Sequence, residues 1–75
     1  MNASNAISIA IQGTPVTRLA WKGTRNMVRI GDSIRFVELD GINRWTKACL
    51  LDTYDLMAND WVVTKKEKKY GYKQN

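Results

Sequence analysis

Three tryptophans and the cations beside two of them are the residues of this chain whose types and spacing best suit chemistry. Trp21 has Arg18 three positions before it and Lys22 directly after it, while Trp45 stands between Arg44 and the step Thr46-Lys47. An aromatic face next to a cation suits a flat anionic ligand. The ring stacks on a base, which contributes on the order of 1 to 3 kcal/mol in single-strand binders, and the cation meets a phosphate oxygen. No Walker-type loop and no GxGxxG motif accompanies them, so this signal points to binding without a known phosphate fingerprint. Trp61 is different. It follows Asn59-Asp60 and opens the run Val62-Val63, which reads as core. Trp21, at the junction of a strand and a polar turn, divides evenly between packing and ligand contact. Trp45, in a polar loop between cations, leans to a surface or binding role.

The other reactive side chains offer less. Asp52 and Asp55 are three apart and share a helix face, but paired-carboxylate catalysis needs one raised pKa, and solvated acids at a helix start are the simpler reading. Cys49 is the only cysteine, so no intrachain disulfide forms, and beside Leu50-Leu51 it reads as a small buried hydrophobe. The chain has no histidine. That excludes a Ser-His-Asp triad, a Cys/His metal site and an imidazole switch near neutral pH. Neither an enzyme nor a cofactor or metal protein is expected.

These residues must be positioned by one small domain. A chain of 75 residues buries only about 60% of its unfolded surface, and 44% hydrophobic with 25% charged residues is an ordinary globular balance. The formal net charge is +5. It is unevenly spread: residues 1 to 17 carry none, residues 18 to 47 carry +4, residues 48 to 63 carry −3, and the Lys-rich end carries +4. A charge run is favourable in water with no partner, so that end reads first as a solubilising tail. Tyr70 and Tyr72 keep a nucleic-acid role open for it. The first 17 residues lack the basic start and continuous apolar run of a signal peptide, and no stretch is long and apolar enough to span a membrane. A soluble, cytoplasmic protein is expected. Without staples or metal, burial between copies would add stability, which favours a homo-oligomer.

Along the chain, Ile7, Ile9 and Ile11 alternate with polar or small residues as in a strand, while Ala3, Ile7, Ala10 and Ile11 line a helical face. The pattern alone leaves both open. Asn2 or Ser4 as a cap, with Gly13 and Pro15 beyond, favours a short helix ending at Gln12. Next comes a meander of three strands, at 16 to 21, 27 to 30 and 34 to 39, with turns at 22 to 26, at Gly31-Asp32-Ser33 and at Asp40-Gly41. Arg29 and Arg35 are expected on its solvent or ligand side. Leu50, Leu51, Tyr54, Met57 and Ala58 predict a one-sided helix, stopped at Asn59-Asp60 and followed by a strand at Trp61-Val62-Val63. The expected fold is a small α+β domain over residues 1 to 63, an antiparallel sheet with two short helices, followed by a partly flexible end at 64 to 75.

Two blocks resemble a known family. Ala6-Ile7, then Gly13-Thr14-Pro15-Val16-Thr17-Arg18-Leu19-Ala20-Trp21-Lys22-Gly23, is similar to the opening of the Thoeris anti-defence type two family of small phage and prophage proteins. Trp45-Thr46, then Asp55-Leu56-Met57-Ala58-Asn59-Asp60-Trp61-Val62-Val63, is similar to that family's second signature, a Trp-Thr loop, a short helix and an Asp-Trp step into a strand. The blocks bracket about residues 6 to 63. The sequence departs from the pattern at Lys22-Gly23, where the family commonly has Asn-Gly, and in a short segment between Arg29 and Trp45.

The resemblance implies a molecular sponge: an oligomer, tetrameric in the family, that binds cyclic nucleotide immune signals of bacterial defence systems without cleaving them. It favours the helical reading of the first segment and makes Asp60-Trp61 architectural. The ligand residues it implies are Arg18, Trp21, Asn26, Trp45 and Thr46, gathered at a subunit interface, with a ring on the base and an arginine on phosphate. The ligand class is a small cyclic nucleotide or a cyclic ADP-ribose-type molecule. Two other readings stand beside it. One is single-stranded nucleic-acid binding along Arg29, Arg35, Arg44 and the Lys-rich end; the other is inhibition of a host protein through an aromatic patch.

Overall fold

A computed structural model describes residues 1 to 64; the Lys-rich end, from Lys65 onward, lies outside the described residues. The order of elements is helix α1 (Ala3–Ile11), strand β1 (Val16–Arg18), a 3-10 turn (Leu19–Trp21), β2 (Arg25–Ile30), β3 (Ser33–Asp40), β4 (Asn43–Ala48), helix α2 (Thr53–Met57) and β5 (Trp61–Val63). The five strands form one antiparallel sheet in the order β4-β3-β2-β1-β5. This is the α+β fold expected, with one strand more. The segment around Trp45, expected as a loop, is strand β4.

Helix α1 begins where the Asn2 side chain accepts a hydrogen bond from the Asn5 amide at 2.9 Å, satisfying one of the donors that a helix start leaves unpaired. It buries Ala3, Ala6 and Ala10 against the sheet. Three small residues on that face let the helix lie close over Val16, Met27 and Phe36, which are buried with Trp61 in the same core. Turns fix the register. Gly31 and Gly41 each take a positive φ, of 66° and 63°, as the first of two loop residues, a conformation without steric cost for glycine and matched to the twist of a hairpin.

Side chains of paired residues share a face of an antiparallel sheet. Val16, Arg18, Arg25, Met27, Arg29, Phe36, Glu38, Trp45, Lys47 and Trp61 therefore lie on the side covered by α1, while Asn26, Val28, Arg35, Val37, Leu39, Arg44 and Thr46 lie on the other. Arg29 and Arg35 thus stand on opposite faces and do not share one side of the meander. Arg29 is engaged on the helix side, donating from Nε to the Ile11 carbonyl and from Nη1 to the Gly31 carbonyl.

Helix α2 is shorter than its apolar spacing predicts. Asp52 caps it in a reciprocal box, its side chain accepting from the Asp55 amide at 2.9 Å and the Asp55 side chain accepting from the Asp52 amide at 3.1 Å. Of the residues expected on its buried stripe, Leu51 and Ala58 pack partly buried against the core, while Leu50 is 77%, Tyr54 80% and Met57 73% exposed. What α2 buries is Asp55.

Candidate ligand-binding surface

The region around Trp21 is built by packing and charge together. The Trp21 ring meets Phe36 and Trp61 edge to face, with centroids 5.6 and 5.2 Å apart, an arrangement that sets the positive edge of one ring against the negative face of another. The Arg25 guanidinium lies 4.5 Å from the Phe36 centroid and 5.2 Å from that of Trp21. It also pairs with Glu38, which Lys47 approaches to 3.7 Å. Trp21 is therefore half-buried in the wall of the core.

Arg18 is held by two carboxylates. Its Nη1 donates to Asp55 Oδ1 at 2.8 Å and its Nε to Asp60 Oδ1 at 2.8 Å. The carboxyl of Asp60 is pulled below its ordinary value, chiefly by the Arg18 hydrogen bond and further by the Ala20 amide, against the opposing effect of burial. The guanidinium is correspondingly pushed up, by Asp60 first and then Asp55. Asp55, expected as a solvated helix-start acid, is buried beside Arg18. Its main-chain carbonyl also accepts from the Trp61 indole Nε1 at 3.0 Å, which supplies the partner a fully buried tryptophan N–H needs. The thiol of Cys49, half-buried, is pushed up by burial, with Arg25 pulling it partly back. A raised thiol is a poor nucleophile at neutral pH.

Asn26 is buried on the open side of the sheet, where its Oδ1 accepts from the Thr64 hydroxyl at 3.0 Å. Trp45 and Thr46 lie next to each other on β4 and, by strand alternation, face opposite sides. The five residues expected to share a site are thus split. Arg18, Trp21 and Trp45 belong to the helix-covered side, Asn26 and Thr46 to the other, and within one chain they do not converge.

One cross-strand row joins Trp45 to Arg25, the cation over Trp21. Arg25, Glu38 and Trp45 are successive partners across β2, β3 and β4, with Phe36 and Lys47 in the next row on the same face. Trp45 is 53% exposed. A cleft of about 700 Å³ opens at the same end of the sheet, between the Gly23-Thr24 turn and the β3–β4 hairpin, lined among others by Leu39, Asp40, Ile42 and Arg44. Its size falls within the range of small-molecule sites, about 300 to 1,000 Å³. Only the hairpin turn at Asp40-Gly41 hinted at it in the sequence, because a cleft between a loop and a hairpin depends on how distant segments meet.

Among the described residues no group of three or more Cys, Asp or Glu side chains is placed to hold a metal ion, and no helix is long and apolar enough to cross a membrane. No protein-family profile, curated protein or solved structure matches the chain.

Proposed function

We propose that this protein is a phage anti-defence sponge that binds and sequesters cyclic nucleotide-type immune signals without cleaving them, acting as a homo-oligomer in the bacterial host cytoplasm. The observation that carries the reading is the cleft at the β3–β4 hairpin, with Asp40 and Arg44 in its lining, beside the half-exposed Trp45, the next residue on β4, whose ring faces the helix-covered side. In the cleft, Arg44 suits a phosphate oxygen, and Asp40 suits sugar hydroxyls or an exocyclic amine as their acceptor. Round the edge strand, on its other face, the Trp45 indole with Lys47 beside it suits a stacked base and a second phosphate oxygen.

Within this reading the earlier candidates take different parts. Trp45 contacts the ligand directly and Thr46 lies beside it on the opposite face. Trp21 and Arg18 belong to the core packing on the side of Trp45, and Asn26 is buried on the opposite side of the sheet. The family resemblance supports the same conclusion, since its second block contains the Trp45-Thr46 step and the Asp60-Trp61 step that anchors the core. The division of Arg29 and Arg35 between two faces favours a compact ligand over an extended nucleic-acid track. Isothermal titration of the full chain against cyclic dinucleotides and cyclic ADP-ribose isomers tests the proposal. Saturable binding of at least one is expected; no heat from any of them, with a folded protein in the cell, would sink it.

A further inference from the structure

The two edges of the sheet are finished differently. At β5 the N-terminal residue lies along the outside: the Met1 ammonium donates to the Trp61 carbonyl at 2.8 Å and the Trp61 amide donates to the Met1 carbonyl at 3.2 Å. That edge is closed by the chain itself. At the other edge, all six residues of β4 are exposed, and among the described residues no strand pairs with its outer side. β4 contains no proline, and its pairing with β3 runs without a bulge from Asp40↔Asn43 to Arg35↔Ala48. An open, regular edge of this kind is a template for a further strand.

From these features we infer that β4 pairs antiparallel with β4 of a second copy, about a two-fold axis through Thr46, to give one continuous sheet across two chains. The register follows from hydrogen-bond alternation. Asp40 and Asn43 flank a two-residue hairpin loop and exchange hydrogen bonds, so Asn43, Trp45 and Lys47 direct their main-chain groups to β3. Arg44, Thr46 and Ala48 direct theirs outward. With Thr46 opposite Thr46, Arg44 pairs with Ala48 of the partner subunit, and all three outward residues find partners. A centre at Trp45 would pair Arg44 with Thr46 of the partner subunit but set Ala48 beyond the end of the partner's strand and oppose the two Trp45 rings, so it engages two of the three outward residues where the centre at Thr46 engages all three.

Side-chain chemistry agrees with that register. Trp45 and Lys47 lie on one face, and each Trp45 then stands opposite Lys47 of the partner subunit in a non-hydrogen-bonded pair, where side chains approach most closely. The pair sets a cation over an indole face. Lys47, already 3.7 Å from Glu38 of its own chain, would bridge that carboxylate to the partner's ring. No like charges are directly opposed, since Arg44 faces alanine. The partner thereby contributes a cation to the Trp45 surface. The pairing stands on the edge geometry and needs no ligand, so it can fail or hold apart from the sponge reading.

Light scattering on the ligand-free full chain, with Thr46→Pro, tests it. The Thr46 amide points away from β3, so proline there keeps the hairpin while removing the central donor of the pairing. The wild type is expected at an even multiple of the 8.6 kDa chain, and Thr46→Pro at half the wild-type mass with an unchanged circular dichroism spectrum. A monomeric wild type overturns the inference, as does a folded Thr46→Pro of undiminished mass, including one whose mass is halved instead by Met57→Glu on the exposed face of α2. Should Thr46→Pro fail to fold, amide exchange on the wild type decides. Protected amides at Arg44, Thr46 and Ala48 are expected, and fast exchange at all three overturns the pairing.

Discussion

Arg18 and Asp55, 37 residues apart in the chain, meet at 2.8 Å with both side chains largely withdrawn from water. Arg18 ends β1, while Asp55 closes the capping box of α2 and carries the carbonyl that receives the Trp61 indole. One carboxylate thus ties a strand, a helix and the largest core side chain together. An arginine that the sequence presents as a phosphate ligand is, in the fold, the partner of two aspartates.

Arg18→Met is therefore expected to lower stability by about 2 to 3 kcal/mol, near the lower end of what unpairing a buried charge costs, because the pair retains some contact with water. Urea unfolding measures it. A phosphate ligand on the surface would behave in the opposite way, with stability unchanged and ligand affinity lost.

Asp60 gives the pair a pH dependence. Its folded pKa is depressed, so its contribution is complete above the unfolded value, about 3.9 for aspartate, and is lost as pH falls through the lower folded value. The melting temperature is expected to fall below about pH 4, and less steeply in Asp60→Asn than in wild type. Equal acid slopes in the two proteins would contradict this role.

Trp45 and Trp61 are expected to separate function from stability. Trp61 is fully buried, and Trp61→Ala should cost about 3 to 5 kcal/mol through cavity formation. Trp45→Ala removes an exposed ring and should leave the ligand-free fold intact while weakening ligand binding by about 10-fold or more, the loss of one stacked base. Titration and unfolding of both variants make the comparison.

Lys22 occupies the left-handed region at φ 55°, φ positive like each glycine described, though itself not glycine. A side chain there is strained, and asparagine tolerates the conformation better than lysine does. Lys22→Asn is expected to raise stability by about 0.5 to 1 kcal/mol, read from a shift in the urea midpoint.

Residue pattern made some of this visible and left the rest hidden, for local reasons. Helix α1 and the β2–β3 hairpin were legible, because caps, alanine spacing and Gly31-Asp32 act over a few residues. β4 was not, since each of its six side chains is exposed and a strand without a buried face has no alternation of polarity to read. The apolar spacing of Leu50, Tyr54 and Met57 pointed the wrong way round α2, where the buried residue is the acid. In a helix of five residues the capping box and a distant arginine outweigh periodicity. Arg18 with Asp55 and Asp60, and the cleft beside Arg44, join segments far apart in sequence, and no local pattern encodes such meetings.

The function proposed for this protein is capture without chemistry. It is tested most directly by purifying the native protein from cells whose defence system is making its cyclic nucleotide signal, denaturing it, and identifying the released small molecule by mass spectrometry. The expected result is the intact signal in stoichiometric amount, reduced by Trp45→Ala. Recovery of a cleaved product, or of no nucleotide from a folded protein, would contradict it.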